Sequence, residues 1–148
     1  VRTFEAAAFL RRCGADVSRV RKLFREDMED YRAKGETIMN AELHLDSFAI
    51  SVCPSGYVES PTIVGAQAAN ELLNIVDVKA SFVLTEYDNQ IYVSARAIDE
   101  VNVQIIMERL GGGGHLNIAG CQFEGIDLQE AIKILKDMLK EMLDGGEI

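Results

Sequence analysis

From Asp46 onward the chain switches between two hydrophobic rhythms. Ser47-Phe48-Ala49-Ile50-Ser51-Val52 alternates with the period of a half-buried strand. Ser60-Pro61 then offers a hydroxyl cap followed by a proline suited to the first helical position. Ala66, Ala69, Leu72, Leu73 and Val76 make one face of the helix it predicts. Residues 80–87 and 91–95 are rich in β-branched and aromatic side chains, and Asp88-Asn89 between them predicts a tight turn, hence an antiparallel hairpin. Asp99 is the expected cap of a helix reaching Leu110. A glycine-rich loop follows, then a short strand over 121–123. In the last predicted helix, Leu128, Ala131, Ile132, Leu135, Leu139 and Met142 share one stripe. Strands and helices interleave, so the expected fold is α/β, a mixed β-sheet flanked by helices.

The residues before Asp46 read differently. Thr3 can cap a helix running through Arg12 and ended by Gly14, and Asp16 caps a second with Val17, Val20, Leu23 and Phe24 at helical spacing. Residues 1–26 are expected to be the C-terminal helices of a preceding domain. Residues 27–45 read as a connecting helix with a charged first half, although Gly35 inside it costs about 1 kcal/mol relative to alanine. Its acidic cluster is read as a solvated helix face. Residues 46–148 should form a domain of their own.

Composition narrows the class. The chain has 148 residues, 48% hydrophobic and 26% charged, the balance of a soluble globular domain with room for one accessory element. No apolar run reaches the roughly 20 residues of a membrane-spanning helix, so no direct membrane contact is expected. Val1-Arg2-Thr3-Phe4 lacks a starting Met and a secretory pattern, which suggests a cytoplasmic piece of a longer chain. Cys13, Cys53 and Cys121 are scattered and include no CxxC, so reduced thiols are expected rather than a metal or redox motif. A net charge of -9 disfavours long polyanions but leaves open a small anion held by locally gathered cations.

The stretch with the most chemistry is Gly111-Gly112-Gly113-Gly114-His115. Four glycines in a row weaken a folded chain. They are explained either by a structural hinge or by a molecule that must approach the backbone closely, with successive N–H groups turned toward an anion. His115 at the mouth of the run can donate to a phosphate. Arg96, at the end of a predicted strand, can clamp a phosphate with two hydrogen bonds or form a surface ion pair. Asn102 and Gln104 are polar candidates for a base or sugar, or ordinary first-turn residues. The run is neither a Walker loop nor a dinucleotide fingerprint. His44 is read as structural. No catalytic set and no metal-ligating set is visible, so no catalytic and no metal residue is expected in this chain.

Val103-Gln104-Ile105-Ile106-Met107-Glu108-Arg109-Leu110 running into Gly111–Gly114 and His115 resembles the signature of the DHH-associated domain, the C-terminal half of DHH-superfamily phosphoesterases. Ser94-Ala95-Arg96 and Asn102 fit the same pattern. Arg2-Thr3-Phe4-Glu5-Ala6-Ala7, Leu10-Arg11-Arg12, Gly14-Ala15-Asp16 and Ala66-Gln67-Ala68-Ala69 resemble cyclic-di-AMP phosphodiesterases of the GdpP type. The resemblance implies a bilobed, membrane-anchored parent. Its DHH lobe, a partner in cis, would hold two manganese ions that generate the attacking hydroxide. The lobe here would hold nucleotide phosphates through Arg96, Asn102 and the Gly111–His115 element, and the product would be the linear dinucleotide pApA. Asp-His-His is absent from this sequence, Ala97 replaces a frequent hydroxyl residue, and Asn117-Ile118-Ala119-Gly120-Cys121 only approximates the usual alanine-rich sequence. A short-oligonucleotide binding module and a purely structural or dimer-forming lobe stay open beside this reading.

Overall fold

The computed structural model describes residues 1–98 and 101–148. Six strands form one mixed sheet in the order β1-β2-β3-β4-β6-β5. They are β1 (Glu42–His44), β2 (Phe48–Cys53), β3 (Ala80–Tyr87), β4 (Gln90–Ala97), β5 (Gly113–His115) and β6 (Ile118–Glu124). The helices are α1 (Arg2–Arg12), α2 (Val17–Lys22), α3 (Met28–Met39), α4 (Pro61–Leu72), α5 (Val103–Arg109) and α6 (Leu128–Asp144). β2 and β3 are parallel and joined through α4, as a parallel pair requires. All other neighbours are antiparallel. The expected α/β architecture is the one observed.

Alternation sends side chains to two faces. Phe48 and Ile50 of β2, Ala80, Phe82 and Leu84 of β3, and Ile91, Val93 and Ala95 of β4 share a core with Ile106 and Met107 of α5 and with Leu135, Leu139 and Met142 of α6. Burying each large side chain of that α6 stripe contributes about 1.5–3 kcal/mol. On the opposite face Ala49 and Cys53 of β2 and Val83 of β3 meet Ala33 of α3 and Val64, Ala68, Ala69 and Leu72 of α4. Small hydroxyls set that spacing. Ser51 Oγ donates to the Thr37 carbonyl at 2.5 Å, and Ser81 Oγ donates to the Ala69 carbonyl at 2.6 Å. α4 crosses closest at Gly65, where a Cβ would stand 2.5 Å from Thr85 Oγ1. Gly65→Ala is therefore expected to cost about 1–3 kcal/mol, as overpacking does. Thermal melts of Gly65→Ala with and without Thr85→Ala check this: the second change should recover part of the loss.

Several boundaries differ from the sequence reading. The connecting helix expected through Leu45 stops at Met39, with Asn40 as its C-cap. Glu42, Leu43 and His44, which follow, enter β1, because pairing Glu42 with Ile50 and His44 with Phe48 outweighs helix propensity. A tight turn with Leu45 and Asp46 at φ 50° and 61° makes the reversal. Lys136 of α6 donates to Glu42 across it at 2.9 Å and holds that carboxyl below its ordinary value. Val76, expected on a buried helix face, lies beyond α4 and is 82% exposed. α1 begins at Arg2, so Thr3 is not its cap, whereas the Asp16 side chain accepts from Arg19 N as expected. The cap expected at Asp99 falls outside the described residues, and α5 starts at Val103 with Asn102 as its cap. β4 and β6 each run longer than the segments read from the sequence. Among the described residues no helix is long and apolar enough to cross a membrane.

Candidate functional site

The helices α3 and α4 cover only half of their face of the sheet. On β4 the residues turned toward that face are Gln90, Tyr92, Ser94 and Arg96, each paired with its neighbour on β6: Glu124, Gln122, Gly120 and Ile118. β5 continues two rows, setting Gly113 beside Gly120 and His115 beside Ile118. Directly paired residues point the same way. Arg96, Ile118 and His115 thus form one row across three strands, and Ser94, Gly120 and Gly113 form the next. The second row carries almost no side chain, so it is a trough floored by backbone. α4 walls one side: Thr62 lines a hollow of about 550 Å³ with Tyr92, Ser94, Gly111, Gly112, Gly120, Gln122 and Glu124.

The glycine run, expected as a loop, is part helix cap and part strand, and its members have different reasons to be glycine. Leu110 closes α5; Gly111, at φ 82°, and Gly112 then donate back to Glu108 at 3.0 Å and Met107 at 2.8 Å. This is the Schellman arrangement, which favours glycine at its left-handed position. A Cβ on Gly112 would lie 2.1 Å from the Gly120 carbonyl oxygen and 2.5 Å from Cys121 Cβ. One on Gly114, at φ 151°, would lie 2.4 Å from the Ile118 carbonyl oxygen. Close packing of β5 on β6 accounts for both. Gly113 is different: its Cβ would meet nothing within 4 Å, and its backbone is ordinary. The fold gives no reason for that glycine; by register it faces the same side as Ser94 and Gly120, although Gly113, Arg96 and His115 do not themselves line the hollow.

Arg96 and His115 are held in different ways. Arg96 Nε donates to Asn70 Oδ1 of α4 at 3.1 Å, and its Nη1 donates to the Ala95 carbonyl at 2.9 Å. These bonds fix the guanidinium and leave its Nη2 donors unused among the described hydrogen bonds. No carboxylate pairs with it among the described residues, and partial burial lowers its pKa from the ordinary arginine value. His115 is exposed at the end of β5. The two-residue turn after it is anchored, since Leu116 O accepts from Val103 N at 3.0 Å and Asn117 O accepts from Ala97 N at 3.1 Å. Those bonds tie the β5–β6 hairpin to the start of α5 and to the end of β4, beside Arg96.

Asn102 is assigned another task. Its Oδ1 accepts from Gln104 N at 3.0 Å, and the Gln104 side chain donates to Glu108 at 2.7 Å. Both polar groups serve α5, and neither lines the hollow. Sequence reading missed Thr62, Tyr92 and Gln122. The period-2 pattern of β4 and β6 carries the signal for the last two, because it sets them on the same face as Arg96. His44, read as structural, keeps a buried Nε2 with no hydrogen-bond partner. Burial pushes the Cys121 thiol up to about 12, so it stays protonated. Among the described residues no group of three or more His, Cys, Asp and Glu side chains is placed to hold a metal ion.

With this geometry in view, the comparisons are specific. Residues 47–141 match the DHHA1 domain, and the chain belongs to that family. It is 42% identical over 147 residues to the cyclic-di-AMP phosphodiesterase GdpP of Bacillus subtilis, covering 98% of this chain and 22% of that protein. It is 39% identical over 137 residues to the cyclic-di-AMP phosphodiesterase PdeA of Listeria monocytogenes, covering 90% of this chain and 20% of that protein. The chain thus spans about a fifth of the length of these relatives. Its fold is that of an exopolyphosphatase-related protein from Bacteroides fragilis, with a TM-score of 0.83 and 22% identity over 95% of this chain and 43% of that one.

Proposed function

We propose that this chain is the nucleotide-binding lobe of a metal-dependent phosphodiesterase that opens cyclic-di-AMP to pApA. The observation that carries the reading is the row Arg96–Ile118–His115 bordering a trough whose glycine at position 113 the fold does not need. A phosphate lying on the trough can take two charge-assisted hydrogen bonds from the free end of Arg96 and one from His115. The relatives named above act on cyclic-di-AMP, and this chain is similar to them along nearly its whole length. The metal ions, which we take to be two manganese ions activating water, belong to a preceding lobe, and the residues here bind and orient. Asn102 contributes by fixing the start of α5.

The exposure of α1 and α2 supports the same reading. Neither helix has a buried residue, while Phe4, Leu23 and Phe24 stand about 80% exposed. In this proposal residues 1–26 complete the metal-binding lobe, and α3 leads into the domain described above.

NMR titration of the 148-residue chain with pApA and cyclic-di-AMP tests the proposal. Arg96→Ala is expected to weaken binding about 10–100-fold, the value of charge-assisted hydrogen bonds, and His115→Ala about 5-fold. Unchanged affinity in both variants would remove the reading. Oligonucleotides of increasing length form the second arm. Affinity that climbs steadily with length would favour a short-RNA module instead.

A further inference from the structure

The trough has two unlike ends, and the difference goes beyond phosphate binding. At one end stand Arg96 and His115. Along β4 and β6 toward the other end the open face carries Tyr92 paired with Gln122, then Gln90 paired with Glu124. The Arg96 and Tyr92 rows are four residues apart, about 13 Å at strand rise, a gap that long side chains from both ends narrow. Gln122 is exposed and lines the hollow, and its side chain makes no hydrogen bond among the described residues. Glu124 accepts from the neutral Gln90 amide at 2.7 Å, so its charge is not cancelled. A ligand in the trough therefore meets positive charge at one end and a carboxamide backed by a carboxylate at the other.

We propose that the hollow walled by Thr62, Tyr92 and Gln122 seats a nucleobase, and that Gln122 with Glu124 behind it selects adenine over guanine. The inference rests on the function proposed above and adds which residues read the base. A glutamine side chain presents one acceptor and one donor, complementary to adenine's exocyclic amine and N7. The corresponding edge of guanine offers two acceptors, which leaves the Gln122 oxygen unpaired and faces the Glu124 charge. The Tyr92 ring supplies an apolar flank for a planar base. Charge fixes the direction: phosphate toward Arg96, exocyclic amine toward Glu124.

The experiment uses AMP, GMP and inorganic phosphate as probes, titrated into the full 148-residue chain. AMP is expected to bind about tenfold tighter than GMP, within the range of one bidentate base contact. Gln122→Leu should bring the two affinities together while phosphate affinity stays as it was. Gln122→Arg should reverse the preference, since a guanidinium matches the two acceptors of guanine. Gln122 is exposed, so neither change endangers folding. An AMP-to-GMP ratio unaltered by Gln122→Leu overturns this inference and leaves the phosphate reading standing. Phosphate affinity unaltered by both Arg96→Ala and His115→Ala overturns the functional reading and this inference with it.

Discussion

Gly112→Ala should cost about 3 kcal/mol or more of stability, at the upper end of overpacking, because the new methyl group strikes backbone rather than a movable side chain. Its neighbours would be the Gly120 carbonyl oxygen at 2.1 Å, Cys121 Cβ at 2.5 Å and Cys121 Cα at 2.7 Å. Relief requires β5 to leave β6. Gly113→Ala, one position further along the chain and at the start of β5, is expected to fold normally because its methyl group meets open space. That methyl group would stand in the trough, so ligand binding should fall while the denaturation midpoint does not. Urea melts of the two variants, with a pApA titration of the second, separate a glycine needed for packing from the one proposed to face a ligand. Equal midpoints would refute the packing account of Gly112. Unchanged pApA affinity in Gly113→Ala would refute the role given to that position.

The second large effect is in the core. Phe82 is fully buried in the centre of β3 and meets Phe48 edge-on, with ring centroids 6.3 Å apart. Phe82→Ala removes the ring and leaves a cavity between the sheet and its helices, at an expected cost of about 3–5 kcal/mol. That is a large share of what a domain of this size has in reserve. β3 also supports β4 along its whole length, and Ser81 is the direct neighbour of Arg96. Loosening β3 thus disturbs the guanidinium as well. Guanidinium chloride denaturation should show the midpoint falling with the slope kept. A loss under 1 kcal/mol would mean that the core closes over the gap.

Much of the fold was legible because local and long-range preferences agree. The α6 stripe, the β3–β4 hairpin with Asp88 and Asn89 at positive φ, and the Pro61 helix start all follow from short-range chemistry. Two places resisted for physical reasons. Residues 38–43 carry apolar side chains that suit a helix, and only their pairing with β2 makes the last of them a strand. Glycine is a poor strand former, so β5 is invisible until Gly112 and Gly114 are seen packed on β6. Within the candidate site, Arg96, His115 and the glycine run stood out by residue type, and the structure sets Arg96 on β4 and His115 on β5 with β6 between them. Asn102 stood out too, but capping claims its side-chain oxygen. Tyr92 and Gln122 did not stand out, because an isolated tyrosine or glutamine signals nothing until strand register shows its neighbours.

Over β2 and β3 the sheet is clad on both sides, whereas on the side that α3 and α4 cover elsewhere the β6 and β5 residues Ile118, Gln122, Glu124 and His115 stand exposed among the described residues. On the proposed function, a nucleotide settling there would complete a sandwich that the polypeptide leaves half built. The same contacts would then grip the guest and stiffen the host, so that recognition and consolidation of this end of the molecule would become a single event.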